Sequence, residues 1–371
     1  MTAALDGITV IDFSRVLAGP YATMMLGDFG ADVIKIERPG VGDDTREWGP
    51  PYDCDGVATY FNSVNRNKRS VVLDLTDPGD VAAVREMVTR ADVVVENFRP
   101  GTMEKLGLGY DALRELKPDL IYCAITGFGR DGGAALPGYD LLVQAVGGLM
   151  SITGPQPGHP TKVGVAVVDV LAGMHALTGI LVALAHRDRT GEGQRVDTSL
   201  LSVLLSSLVN QASSFLGAAT VPTIMGNRHP SISPYETFET ADRPIALAVG
   251  NDKQFRLLVG ALGLTELAED PRFATNALRV HHSDELRALL EAELAKRGAD
   301  HWYDILTSVG VPAGPINDVA EAFAFADKLG IAATVAVPGS RTPQVANPIT
   351  LSATPVEYRS APPWLGQDTA G

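Results

Sequence analysis

Along the first third of the chain, short runs of β-branched residues alternate with longer stretches of helical spacing. ITVID at 8–12 reads as a buried strand. SRVLAGPYATMMLGDFG follows as a helix, with Pro20 as its first residue and Gly30 as its stop. ADVIKIE gives a second strand, so residues 8–37 form one βαβ unit with a parallel pair. RSVVLDL with a helix over 78–90, DVVVEN at 92–97 with a helix over 110–117, and the strand LIYCAIT continue the pattern. This alternation predicts an α/β protein with a doubly wound sheet, whose ligands gather at the carboxyl ends of the strands. Those ends fall at 13–20, 37–48, 74–76, 97–105 and 126–140.

VGVAVVDVLAGMHALTGILVALA at 163–185 is almost wholly apolar and matches a membrane span in length. Its Asp169 and His175, and the ordinary α/β sequence on either side, favour a helix buried in a core. Asp169 stands before the greasiest part of the run. One reading makes it a helix N-cap; the other makes it a carboxylate that burial renders costly unless it is put to use. Next come a polar loop, a short strand and a long helix over 199–217. From 221 the pattern changes to short strands (TFET, PIALAVG) and charged amphipathic helices, one opened by Ser283 as its cap. Three parts follow: a large Rossmann-like domain at 1–220, a small α+β domain at 221–330, and a segment at 331–371 in which TVAVPG and PITLSATP read as strands and proline-rich coil.

The 371 residues carry a net charge of −14, which argues against nucleic acid or anionic membrane as the main partner. Cys54 and Cys123 form neither a disulfide framework nor a CxxC pair. The opening MTAALDGITVIDF holds no apolar signal segment, so a cytoplasmic location is expected. No GxGxxG follows the first strand, and GxxxxGK[ST], HExxH and GxSxG are absent. The histidines are scattered rather than set at metal-ligand spacing, so neither a metal nor a permanently bound cofactor is expected.

Six motifs in order, LDGITVIDFSRVLAGP at 5–20, GADVIKIERPGVGDDTR at 30–46, NKRSVVLDL at 67–75, ADVVVENFRPG at 91–101, GYDLLVQAVGGLMSITG at 138–154 and VVDVLAGMHALTGILVAL at 167–184, carry a resemblance. Together they resemble the class III CoA-transferase family, the CaiB/BaiF type, over nearly the whole chain. The resemblance implies an interlocked homodimer, with acyl-CoA and a carboxylic acid as the partners in the reaction. It makes Asp169 the nucleophile, a carboxylate expected to be already ionised at neutral pH and so to need no general base, at a helix start that aims N–H groups at developing negative charge. It implies a CoA site formed by Val16, Leu17, Ala18, Arg38, Leu73, Asp74, Leu75, Thr76, Asn97, Phe98, Arg99, Lys105, Pro137, Gly138, Tyr139 and Asp140. Arg15, Arg46, Trp48, Arg228 and His229 are further candidates for contact with the acyl group, the last two on a loop at 225–238 that covers the site in the family.

Some departures matter. Leu17 replaces the glutamine of formyl-CoA:oxalate members and offers no hydrogen bond, which argues against oxalate as acceptor. Tyr139 replaces the histidine of the α-methylacyl-CoA racemase branch, and a phenol with a pKa near 10 is a poor proton shuttle at neutral pH. Transfer from succinyl-CoA or another dicarboxylyl-CoA to a small carboxylic acid is therefore expected. A racemase and a non-catalytic acyl-CoA binding protein are the alternatives. LGQDTAG stands where members carry a GEHT-like motif.

Overall fold

The computed structural model describes residues 2–369. Its contacts group into two compact units, Met1–Leu149 with Lys162–Val221 and Ala332–Gly371, and Met150–Thr161 with Pro222–Ile331. The division differs from the boundaries read in the sequence at one excursion, because Met150–Thr161 goes with the second unit.

In the first unit β1 (Thr9–Asp12), β2 (Asp32–Glu37), β3 (Lys68–Val72), β4 (Val93–Glu96), β5 (Ile121–Thr126) and β6 (Arg195–Ser199) form one sheet in the order β3-β2-β1-β4-β5-β6. All neighbours are parallel. The order reverses between β1 and β4, and that switch point opens a crevice at the carboxyl ends of these strands. The helices are α1 (Ala18–Asp28), α2 (Pro78–Val88), α3 (Tyr110–Leu116), α4 (Asp140–Val146), α5 (Val167–Thr190), α6 (Leu200–Ser207) and α7 (Val209–Ala218). They cover both faces of the sheet. Val10 joins the core of α1 and α5, whereas its neighbour Ile11 joins Val84, Val88 and Leu113 beneath α2 and α3, as a period of two requires. Each such buried side chain is worth about 1.5–3 kcal/mol.

α5 is long and apolar enough to cross a membrane. Here a stripe running through Ala172, Ala176, Ile180 and Leu184 is buried against α1 and the sheet. Small residues let the two helices meet closely: a Cβ on Gly173 would stand 2.6 Å from the carbonyl oxygen of Ala18.

Several local expectations are corrected. α1 begins at Ala18, two residues before Pro20. The helix expected over 199–217 is two helices, α6 and α7, bent by 78°. Asp169 is not an N-cap: α5 begins at Val167, with Ala166 in the cap position, which puts Asp169 inside the first turn. PITLSATP forms no strand.

The second unit has an antiparallel sheet of β7 (Tyr235–Phe238), β8 (Ile245–Ala248) and β9 (Ala313–Pro315). α8 (Asp252–Ala261), α9 (Asn276–His281), α10 (Ser283–Leu294), α11 (Ala299–Ser308) and α12 (Val319–Lys328) complete it around Phe238, Leu258, Phe273, Leu290 and Trp302. Ser283 is the first residue of α10 rather than its cap; the capping side chain nearby is Thr275, which accepts from Leu278 N–H at the start of α9.

The last segment returns to the first unit. β10 (Thr334–Val335) and β11 (Gln344–Val345) form an antiparallel ribbon. Arg359 donates to the carbonyls of Gly27, Gly30 and Ala31 at the end of α1. Asp368 and Thr369 accept from Ser70 and Val72 N–H along the outer edge of β3, covering it.

Candidate active site

The loop from β1 to α1 is fastened residue by residue. Asp12 accepts from the backbone N–H and hydroxyl of Ser14, from Thr23 Oγ1 at 2.6 Å and from Lys68 Nζ at 3.2 Å. Lys35 Nζ, buried in the middle of β2, donates to Ser14 O at 2.7 Å and pairs with Asp43 at 2.9 Å. Asn97 clamps Arg15 in both directions, accepting from its N–H at 2.9 Å and donating to its carbonyl at 2.7 Å. Val16 donates its N–H to Asp43 Oδ1 and is held at a φ of 71°, a conformation that costs a β-branched residue about 1–3 kcal/mol. The loop is thus fixed by buried charge.

Burial opposes ionisation of these acids, but their partners outweigh it. Lys68 and Lys35 lower Asp12, and Lys35 and Thr45 hold Asp43 at about 2. Burial wins at Lys68, bringing it to about 8. The charged β2 residue Lys35 was visible as a break in an apolar strand; that it serves the first loop was not.

At the carboxyl ends the crevice holds two adjoining clefts. One is lined by Arg15, Val16, Leu17, Ala18, Asn97, Phe98, Arg99, Pro137, Gly138 and Tyr139, together with Asp44 and Asp169. The other is lined by Arg38 and by Leu73, Asp74, Leu75 and Thr76, and shares Arg15 and Phe98 with the first. Arg15 stacks over the Phe98 ring at 5.0 Å. Gly138 approaches the end of β5 so closely that a Cβ on it would stand 2.4 Å from Gly127 Cα. A side chain there would push the 137–140 loop off the strand.

Asp169 lies half-buried against the first cleft. Loss of solvent, with the nearby Asp140 carboxylate adding repulsion, raises its carboxyl to about 7. The expectation of a group fully ionised at neutral pH is corrected accordingly. Asp140 does not line the cleft. It caps α5 from another element: Oδ1 accepts from Val168 N–H at 2.8 Å, while Oδ2 accepts from Gln144 at 2.6 Å. Two N–H groups at the α5 start are therefore taken, Val168 by Asp140 and Val167 by the carbonyl of Val165. They do not face the cleft as free donors; what α5 offers Asp169 is its dipole.

Other expected residues fall elsewhere. Arg46 is bound in a fork to Glu37 at 2.8 and 2.6 Å and lies over Phe61, so it is structural. Trp48 is 41% exposed, edge-on to Tyr60 at 5.3 Å. Lys105 is exposed at the end of a helical turn and lines neither cleft. Arg228 and His229 belong to the second unit, where Arg228 pairs with Glu236 and Asp284 and His229 Nδ1 accepts from Ser231 N–H. Sequence reading missed Asp44 and Tyr60. Burial raises the Tyr60 phenol, and the charges of Asp169 and Asp140 raise it further, which places the ring within their field.

A doubly wound crevice at the topological switch point, with a half-buried acid beside it and arginines near its mouth, is the candidate ligand site of this α/β fold. The profile of CoA-transferase family III matches residues 5–369, and the chain belongs to that family. It is 47% identical to the succinate–glutarate CoA-transferase of Agrobacterium fabrum, over 99% of this chain and 94% of that protein. It is 46% identical to the acetyl-CoA:oxalate CoA-transferase of Acetobacter aceti, over 85% of this chain and 82% of that one. A CaiB/BaiF family protein from Brucella suis matches in structure with a TM-score of 0.89 and 42% identity, covering 99% of this chain and 97% of that chain. The protein is a class III CoA-transferase, moving CoA between an acyl-CoA and a carboxylic acid.

Proposed function

We propose that the protein transfers CoA from succinyl-CoA to a second dicarboxylic acid, glutarate being the first to test, through a covalent intermediate on Asp169. The observation that carries this reading is the half-buried carboxylate beside the crevice, raised to about 7 and free of any ion pair among the described residues. The A. fabrum relative supports the pair of acids; the A. aceti relative puts oxalate back on the panel despite Leu17.

In this mechanism the Asp169 carboxylate attacks the thioester carbonyl, the C–S bond breaks, and CoA leaves as thiolate. The thiolate then attacks the aspartyl carbonyl of the mixed anhydride, releasing succinate and leaving an aspartyl-CoA thioester. The acceptor carboxylate reverses both steps: it displaces the thiolate to form a new anhydride, and the thiolate attacks the acceptor's acyl carbon. Asp169 returns as a free carboxylate. No oxidation or net proton transfer is involved.

Hydroxylamine or borohydride added during turnover should label Asp169, read by peptide mass spectrometry; active enzyme left unlabelled there ends the mechanism. Tyr139, 59% exposed beside the cleft, favours transfer over racemisation. Acyl-CoA incubated in deuterated solvent without acceptor should keep its α-protons. Acid exchange absent from a broad acceptor panel would favour the binding-protein alternative. We also propose the interlocked homodimer, supported by the exposed apolar side chains of Val209, Phe215 and Leu216 on α7.

A further inference from the structure

The two clefts meet at Arg15, and the acid standing at that junction is Asp44. Its Oδ2 accepts from Arg15 Nη1 at 3.0 Å, and its Oδ1 accepts from Arg38 Nη2 at 2.5 Å. One carboxylate thus bridges two guanidiniums, one lining both clefts and one lining the second. Two neighbouring acids are engaged elsewhere: Asp43 with Lys35, Glu37 with Arg46.

We infer that Asp44 is a stand-in for phosphate: in the ligand-free enzyme it holds Arg15 and Arg38 in place, and the phosphate groups of CoA displace it. This rests on the reading of the crevice as the CoA site. Three features make the exchange feasible. The bridge is weak, because the Asp44 side chain is 33% exposed and that of Arg38 48%, so solvent screens both pairs. The Asp44 side chain can leave while its backbone stays, since it opens a turn capped by Asp43. Asp44 takes only the Nη1 donor of Arg15, and a tetrahedral oxyanion offers more acceptors than one carboxylate.

The consequence is selectivity obtained at the expense of affinity. Any anion that takes the two guanidiniums must displace this carboxylate, so chloride or a lone phosphate, with few other contacts, is held off, while a ligand with several phosphates and a long arm still binds. The carboxylate also opposes retention of the product thioester.

The test is calorimetric titration of CoA into wild type, Asp44→Asn and Asp44→Ser at low and high salt. Both variants should bind CoA about 5-fold more tightly than wild type at low salt. The gain should shrink at high salt, where screening weakens the competing pairs. Inorganic phosphate should compete with CoA in the variants more effectively than in wild type. Unchanged or weaker CoA binding in both variants overturns the inference while leaving the CoA site intact. Failure of wild type to bind CoA overturns the site reading as well.

Discussion

Asp169 carries a thermodynamic cost along with its chemistry. Its carboxyl is raised from 3.8 to about 7 in the folded protein by burial and by Asp140. Between those values the folded state holds a proton that the unfolded chain releases, so stability falls as pH rises through this window. By pH 8 the penalty is complete, of the order of 2 kcal/mol once solvent screening is allowed for. Asp169→Asn should therefore abolish transfer, by about 1000-fold or more, and raise the melting temperature at pH 8 but not at pH 4. An equal change at both pH values would mean that the carboxylate is not strained by burial. The same ionisation predicts that kcat/KM for acyl-CoA rises with pH and levels off above about 8, with a midpoint near 7. Asp140→Asn removes a negative neighbour while keeping an oxygen for Val168 N–H, and should move that midpoint downward. A profile that stays in place would exclude Asp140 as a source of the shift.

At the scale of elements, the site is a set of strand ends held in register by side chains from other strands. Gly138→Ala tests this, because a Cβ would stand 2.4 Å from Gly127 Cα. Overpacking of about 1–3 kcal/mol should be relieved by displacement of the 137–140 loop, seen as a raised KM for acyl-CoA with a smaller change in melting temperature. Asn97→Ala should loosen Arg15 and weaken CoA binding about 10-fold, since two backbone hydrogen bonds go with it; a surface role for Asn97 would leave binding unaltered. The strands and their ligand-bearing ends were legible because β-branched runs announce buried parallel strands. The caps were not. Asp140 caps a helix 28 positions away, and a cap supplied from so far along the chain leaves no local pattern. Arg46 looked like a substrate cation because Glu37, its partner, reads as the end of a strand.

For the whole molecule, the alternation of strand and helix was sufficient to foresee the doubly wound sheet, and the resemblance was sufficient to foresee the family. The assignment of Met150–Thr161 to the second unit was hidden, because that grouping depends on contacts distant in sequence. If the homodimer is right, Phe215→Asp with Leu216→Asp should shift sedimentation toward monomer or aggregate; an unchanged dimer would put the interface away from α7.

The charges beneath the first loop bear on how this chain can change over time. Asp12, Lys35, Asp43 and Lys68 are all buried and mutually paired, so neutralising any one strands another, at about 3–5 kcal/mol. Substitutions here are viable chiefly as compensated pairs, and such double events are rare. Invariance across homologues at these four positions would then record an evolutionary ratchet rather than a role in chemistry, and a survey that equates constancy with catalysis would choose them ahead of Asp44.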